Sequence, residues 1–118
     1  MTLQLTFREP LAGLGAFTRY DLSPLDGAAG TYVLRAAEQP AVRLFLVDAA
    51  DYLPDFAPRL GDAADPDARI LVVVTPHADG VTVNLLAPIV VDLTARTALQ
   101  VIVADDLSRA QVPLSRSA

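Results

Sequence analysis

The sequence predicts an all-β protein, a small single-domain antiparallel barrel, closed or split, formed by residues 1–118. Three observations carry this prediction. Leu3, Leu5 and Phe7 alternate with Thr2, Gln4 and Thr6, the period of a half-buried strand. Asp79-Gly80 stands between two β-branched apolar runs, 70–74 and 81–92, and is a hairpin signal. No stretch of ten or more residues keeps a helical period, which leaves six or seven short strands between turns, and closing them into a barrel would hide the sheet edges.

The elements follow in order. Glu9-Pro10 breaks the first strand, and Gly13 and Gly15 allow a tight turn before a second strand over 17–22. Ser23-Pro24-Leu25-Asp26-Gly27 reads as a turn, and 31–35 is β-branched and aromatic enough for a third strand. Residues 42–47 are nearly all apolar after Arg43, which predicts a central strand covered on both faces and ended by Asp48. Pro54 and Pro58 limit the Asp- and Ala-rich stretch 48–66 to short helical turns at most. Beyond the Asp79-Gly80 turn, Pro88 cannot donate to a ladder, so its strand is an edge or is bulged there, and the bend helps the sheet curl. Residues 93–96 turn into a last alternating strand over 97–103, and from about 105 to 118 the periodicity is lost, which predicts an irregular tail.

Composition excludes several function classes. With 53% apolar and 19% charged residues in 118, the chain can bury a core. Nine Arg and no Lys face fourteen acids, a formal charge of -5, which repels nucleic acid at long range and suits a basic protein partner. Without cysteine there are no disulfides, thiolate metal sites or cysteine nucleophiles. The longest apolar candidate for a membrane span, 81–91, contains Asn84 and Pro88, and the opening residues lack a basic leader ahead of an apolar block. A cytoplasmic location is expected.

One stretch is more specific. Val81-Thr82-Val83-Asn84-Leu85-Leu86-Ala87-Pro88-Ile89-Val90-Val91, followed by Gln100-Val101, resembles the signature of the FliW family of flagellar assembly factors. Phe7, Pro10-Leu11 and Gly13-Leu14 agree in order and spacing, as do 45–47 leading to Tyr52, Asp55 and Phe56, so the resemblance spans 2 to about 114. It implies a barrel-like fold and a regulatory task performed by protein binding. Members bind flagellin and, when freed of it by export, bind the translational regulator CsrA and stop it repressing flagellin mRNA. Thr82, Val83, Asn84, Pro88 and Gln100 are the motif positions carried over. The chain departs from the family in a shorter linker over 57–68, in Asp92 where members have Asn, and in Ser108, Gln111 and Val112 where aromatic and basic residues precede the final Pro113-Leu114.

Each candidate site also has a structural reading. His77, the only histidine, falls at a hairpin tip beside Pro76, Asp79 and Gly80, where a solvated imidazole is the common case, and no serine sits in a nucleophile elbow. Asp48, Asp51, Asp55, Asp62, Asp65 and Asp67 lack the ligand spacing of a Ca²⁺ loop, so no metal or cofactor is expected. The Asn84 amide, inside an apolar strand, would need hydrogen bonds and could lock the Pro88 bend. Tyr52 and Phe56, flanked by Asp48, Asp51 and Asp55, match the aromatic core and charged rim of an interface, or else fold inward to cap the barrel. The expected binding surface is therefore 48–56 of a monomeric, non-enzymatic protein. The competing reading is a small barrel that holds a metabolite or cofactor in its mouth.

Overall fold

A computed structural model describes residues 2–11, 13–54, 56, 58, 67–103 and 111–114. Among these residues nine strands form: β1 (Leu3–Phe7), β2 (Arg19–Pro24), β3 (Thr31–Ala36), β4 (Arg43–Asp48), β5 (Arg69–His77), β6 (Gly80–Val83), β7 (Ile89–Asp92), β8 (Thr97–Gln100) and β9 (Val112–Pro113). One helical turn, α1 (Ala49–Tyr52), interrupts them. Seven strands close a ring in the order β1-β2-β3-β4-β5-β7-β8 and back to β1. Every neighbour pair is antiparallel except β1 with β8, where Thr6 faces Thr97 and Phe7 faces Ala98 in parallel. That parallel seam is an addition to the antiparallel barrel the sequence suggested.

The alternation read from the sequence fills the barrel. Leu5 and Phe7 of β1, Tyr20 and Leu22 of β2, Leu34 and Ala36 of β3, Leu46 of β4, Leu71 of β5, Ile89 and Val91 of β7 and Ala98 of β8 form one buried cluster. The Phe7 and Tyr20 rings meet edge to face, 5.2 Å between centroids, a geometry aromatic quadrupoles favour. Registers such as Leu5 opposite Tyr20 and Leu22 opposite Leu34 keep these side chains on one face.

The stretch 81–92 is two strands rather than one. β6 and β7 both pair with the same flank of β5, β6 along its second half and β7 along its first. Between Val83 opposite Val74 and Ile89 opposite Leu71, the five residues 84–88 span only Val72 and Val73, so the chain bulges out around Pro88. Asn84 Oδ1 accepts from the N–H groups of Leu86 (3.0 Å) and Ala87 (3.2 Å), which holds the bulge in shape. The Val101 N–H donates to the Pro88 carbonyl and the Val103 N–H to that of Leu86, both at 2.9 Å, so the chain beyond β8 covers the bulge.

The irregular tail expected from about 105 needs a correction. Residues 104–110 and 115–118 lie outside the described residues, but Val112 and Pro113 form β9 on the edge of β6, and Leu114 N–H donates to the Val81 carbonyl. The reason is a second apolar cluster on the outside of the barrel. Val47, Val72, Val83 and Leu85 are buried there beneath Leu53, Phe56, Val74, Val112 and Leu114. The apolar run 42–47 announces a cover on both faces of β4, but nothing local says that residues 112–114 help supply it.

Candidate functional site

β4 and β5 are apolar at consecutive positions, so each presents apolar side chains inward and outward. Outward, Phe45, Val47 and Val74 form the floor of a groove of about 560 Å³. Leu25, Ala28 and Thr31 from the β2–β3 turn, with Asp51, Tyr52 and Pro54, form one wall, and Pro76, Val81 and Leu114 form the other. Among the described lining residues Asp51 is the sole charged group. The groove opens where β4 and β5 part. Their pairing ends at Phe45 opposite Val74, and the next position of β5 that could bond β4 is Pro76, which has no N–H.

The residues expected at the binding surface have separate fates. Asp48 is 2% exposed and cannot offer charge to a partner, which corrects that expectation. Its Oδ1 caps α1 by accepting from Ala50 N–H at 2.9 Å, and its Oδ2 accepts from Arg69 Nη1 at 2.8 Å. A buried carboxylate needs such partners, and here they fix α1 to the end of β4. Asp51 is exposed on the groove wall. Tyr52 is 37% exposed, and its hydroxyl donates to the Ala29 carbonyl (2.8 Å) and lies 3.2 Å from Thr31 Oγ1, which ties the ring to the β2–β3 turn. Phe56 turns inward onto the second apolar cluster. Asp55 lies outside the described residues, as do Asp62 and Asp65.

Within the signature stretch, Val83 and Pro88 are buried and Asn84 braces the bulge. Gln100 Nε2 approaches the Ala87 carbonyl at 3.5 Å, and Thr82 Oγ1 lies 3.0 Å from His77 Nε2 beside the hairpin end. Asp92 Oδ1 accepts from Thr94 and Ala95 N–H groups, a task an Asn carbonyl would perform equally, so this departure leaves the turn intact.

Among the described residues no group of three or more acidic or histidine side chains is placed to hold a metal. The barrel mouth, where Asp48 and Arg69 meet Leu3, Leu22 and Tyr32, encloses about 150 Å³, below the roughly 300–1,000 Å³ usual for ligand pockets. No helix among the described residues is long and apolar enough to cross a membrane.

Comparison with known proteins places this architecture. The sequence profile of the FliW protein family matches residues 2–114. The chain belongs to the FliW family. A FliW relative, flagellar assembly factor FliW 2 of Desulfotalea psychrophila, is 29% identical over 119 aligned positions, covering 93% of this chain and 79% of the relative. A crystal structure of the flagellar assembly factor FliW superposes with a TM-score of 0.83 at 22% identity, covering 97% of this chain and 86% of that one. The fold of this chain is thus that of FliW, a closed barrel that is nearly all β among the described residues.

The groove escaped the sequence reading because its walls come from five separated segments. A signal was nonetheless present: consecutive apolar residues at 44–47 and 70–74 state that the outer face of those strands is not left to water.

Proposed function

We propose that this FliW-family protein binds flagellin in the cytoplasm and, when flagellin has been exported, binds and antagonises a CsrA-type translational repressor, so that flagellin synthesis follows secretion. It acts as a monomer, without catalysis or cofactor. The supporting observation is the preformed apolar groove bordered by Asp51 and Tyr52, on a chain whose family builds flagella. Such a switch requires only two mutually exclusive complexes whose affinities and concentrations compete. The acidic balance of the chain favours a basic partner and disfavours direct contact with RNA. The small barrel mouth, lined by the Asp48–Arg69 ion pair, gives little support to metabolite binding.

Size-exclusion chromatography of the protein mixed with the flagellin and then the CsrA of the same organism tests this. Co-elution with each in turn is expected, and co-elution with neither removes the proposal.

A further inference from the structure

The groove restricts how an occupant can be held. Protein segments dock on β proteins in two common ways, by adding a strand to an open edge or by laying a helix into an apolar groove. Three open flanks border the groove: the second half of β5 on the side away from β6, the outer side of β9, and the start of β4 before Phe45, where Arg43 is a single outward position, too short for a ladder. The bonds from Asn84 N–H to the Val73 carbonyl and from Leu114 N–H to the Val81 carbonyl set the alternation along both pairs. By that alternation positions 74 and 76 of β5 and position 113 of β9 face outward. Residues 76 and 113 are both proline and offer no N–H, while position 74 is already paired with Phe45. Prolines at edges block strand addition.

We infer that the groove receives an amphipathic helix of a partner protein, seated by its apolar face with a Lys or Arg beside Asp51. This rests on the protein-binding reading above and adds the shape and charge of what is bound. The floor of Phe45, Val47 and Val74 offers apolar contact along its length, as residues one helical turn apart require. The hydroxyls of Tyr52 and Thr31 already engage one another and Ala29, so they offer no ladder to an extended chain. Among the described lining residues Asp51 is the lone charge; the one described cation near the floor, Arg43, is stacked over the Phe45 ring, so on a chain of charge -5 the Asp51 end of the groove selects a basic flank.

The test uses synthetic peptides of roughly 18 residues, long enough to hold a helix. One places Leu at helical spacing with Lys elsewhere, one replaces Lys by Glu, and one alternates Leu and Lys at strand spacing. Binding is followed by fluorescence anisotropy, and the contact face by amide shifts of the labelled protein. The helical Leu/Lys peptide should bind and shift residues 28, 31, 45, 51 and 74. The other two should bind at least about tenfold more weakly, a difference of roughly 1.4 kcal/mol. Leu25→Ser and Asp51→Asn should each weaken the helical peptide several-fold, whereas Ile102→Ser, at an exposed apolar residue outside the groove lining, should not. Equal binding of helical and alternating peptides, indifference to Leu25→Ser, or no binding overturns the inference. The same variants mixed with flagellin and CsrA separate it from the wider reading. Wild-type binding that survives Leu25→Ser and Asp51→Asn sinks the groove and leaves the function. Peptide capture without capture of either protein sinks the function and leaves the groove.

Discussion

Arg69 at the start of β5 donates to the buried carboxylate of Asp48 at the end of β4, 2.8 Å away, and this pair holds α1 against the barrel mouth. Asp48 does two tasks, since its other oxygen caps the helical turn. Asp48→Ala should cost about 2–3 kcal/mol, one part for the cap and the larger for the charge-assisted bond. Asp48→Asn keeps the cap and should cost less. Urea unfolding checks the order, and equal losses in the two variants would deny the cap its share.

Arg69→Ala leaves that carboxylate buried with the Ala50 N–H as its remaining side-chain hydrogen-bond partner among the described residues. A loss of about 1–3 kcal/mol is expected. Because the Arg69 side chain is itself 56% exposed, high salt should weaken the wild type slightly and this variant less.

Tyr20 is wholly buried, and its hydroxyl has no hydrogen-bond partner among the described residues. Tyr20→Phe removes the desolvated hydroxyl while keeping the ring on Phe7, and should raise stability by about 1 kcal/mol. Burial also raises the Tyr20 pKa above its ordinary 10.0. The folded state therefore holds this proton more tightly than the unfolded state does. The contribution is complete below about pH 10 and is lost as pH rises through the folded value. Wild type should lose stability more steeply than Tyr20→Phe above about pH 10, and parallel curves would contradict the assignment.

Asn84→Ala takes away the acceptor that holds Leu86 and Ala87 in the bulge. Two neutral bonds predict a loss of about 1–3 kcal/mol. Hydrogen exchange should quicken first at Val101 and Val103, whose N–H groups bond the bulge. Global unfolding without that local change would show the amide acting elsewhere.

Gly30 has φ +77, and a Cβ there would come 2.6 Å from Asp51 Oδ2 and 3.1 Å from Tyr52 Cε2. Gly30→Ala should therefore cost about 1–2 kcal/mol in backbone strain and push the Asp51–Tyr52 wall aside. Partner affinity should fall by more than stability alone explains; unchanged affinity would separate this wall from the binding surface.

Much of the barrel was legible because alternation is local: Leu3, Leu5 and Phe7 reveal their face without reference to any other strand. The Asp79-Gly80 hairpin was legible for the same reason. The division of 81–92 was not, because a run apolar at nearly every position has no period, and the break is made by the Asn84 side chain bonding to its own neighbours. The parallel seam of β1 on β8 joins residues about ninety positions apart and leaves no local trace. Asp48 resembles the solvated acids around it in sequence; its burial depends on Arg69, twenty-one residues on. Of the candidate surface, Tyr52 and Asp51 were legible as an aromatic beside a charge, whereas the groove floor depends on which strands become neighbours.

The central claim is that one protein serves two partners that exclude each other. The direct measurement is light scattering on a preformed complex with CsrA as flagellin is added. Release of CsrA in proportion to the flagellin bound, with no ternary species, is the predicted result. A stable assembly of all three proteins, or flagellin that leaves the CsrA complex untouched, would contradict it.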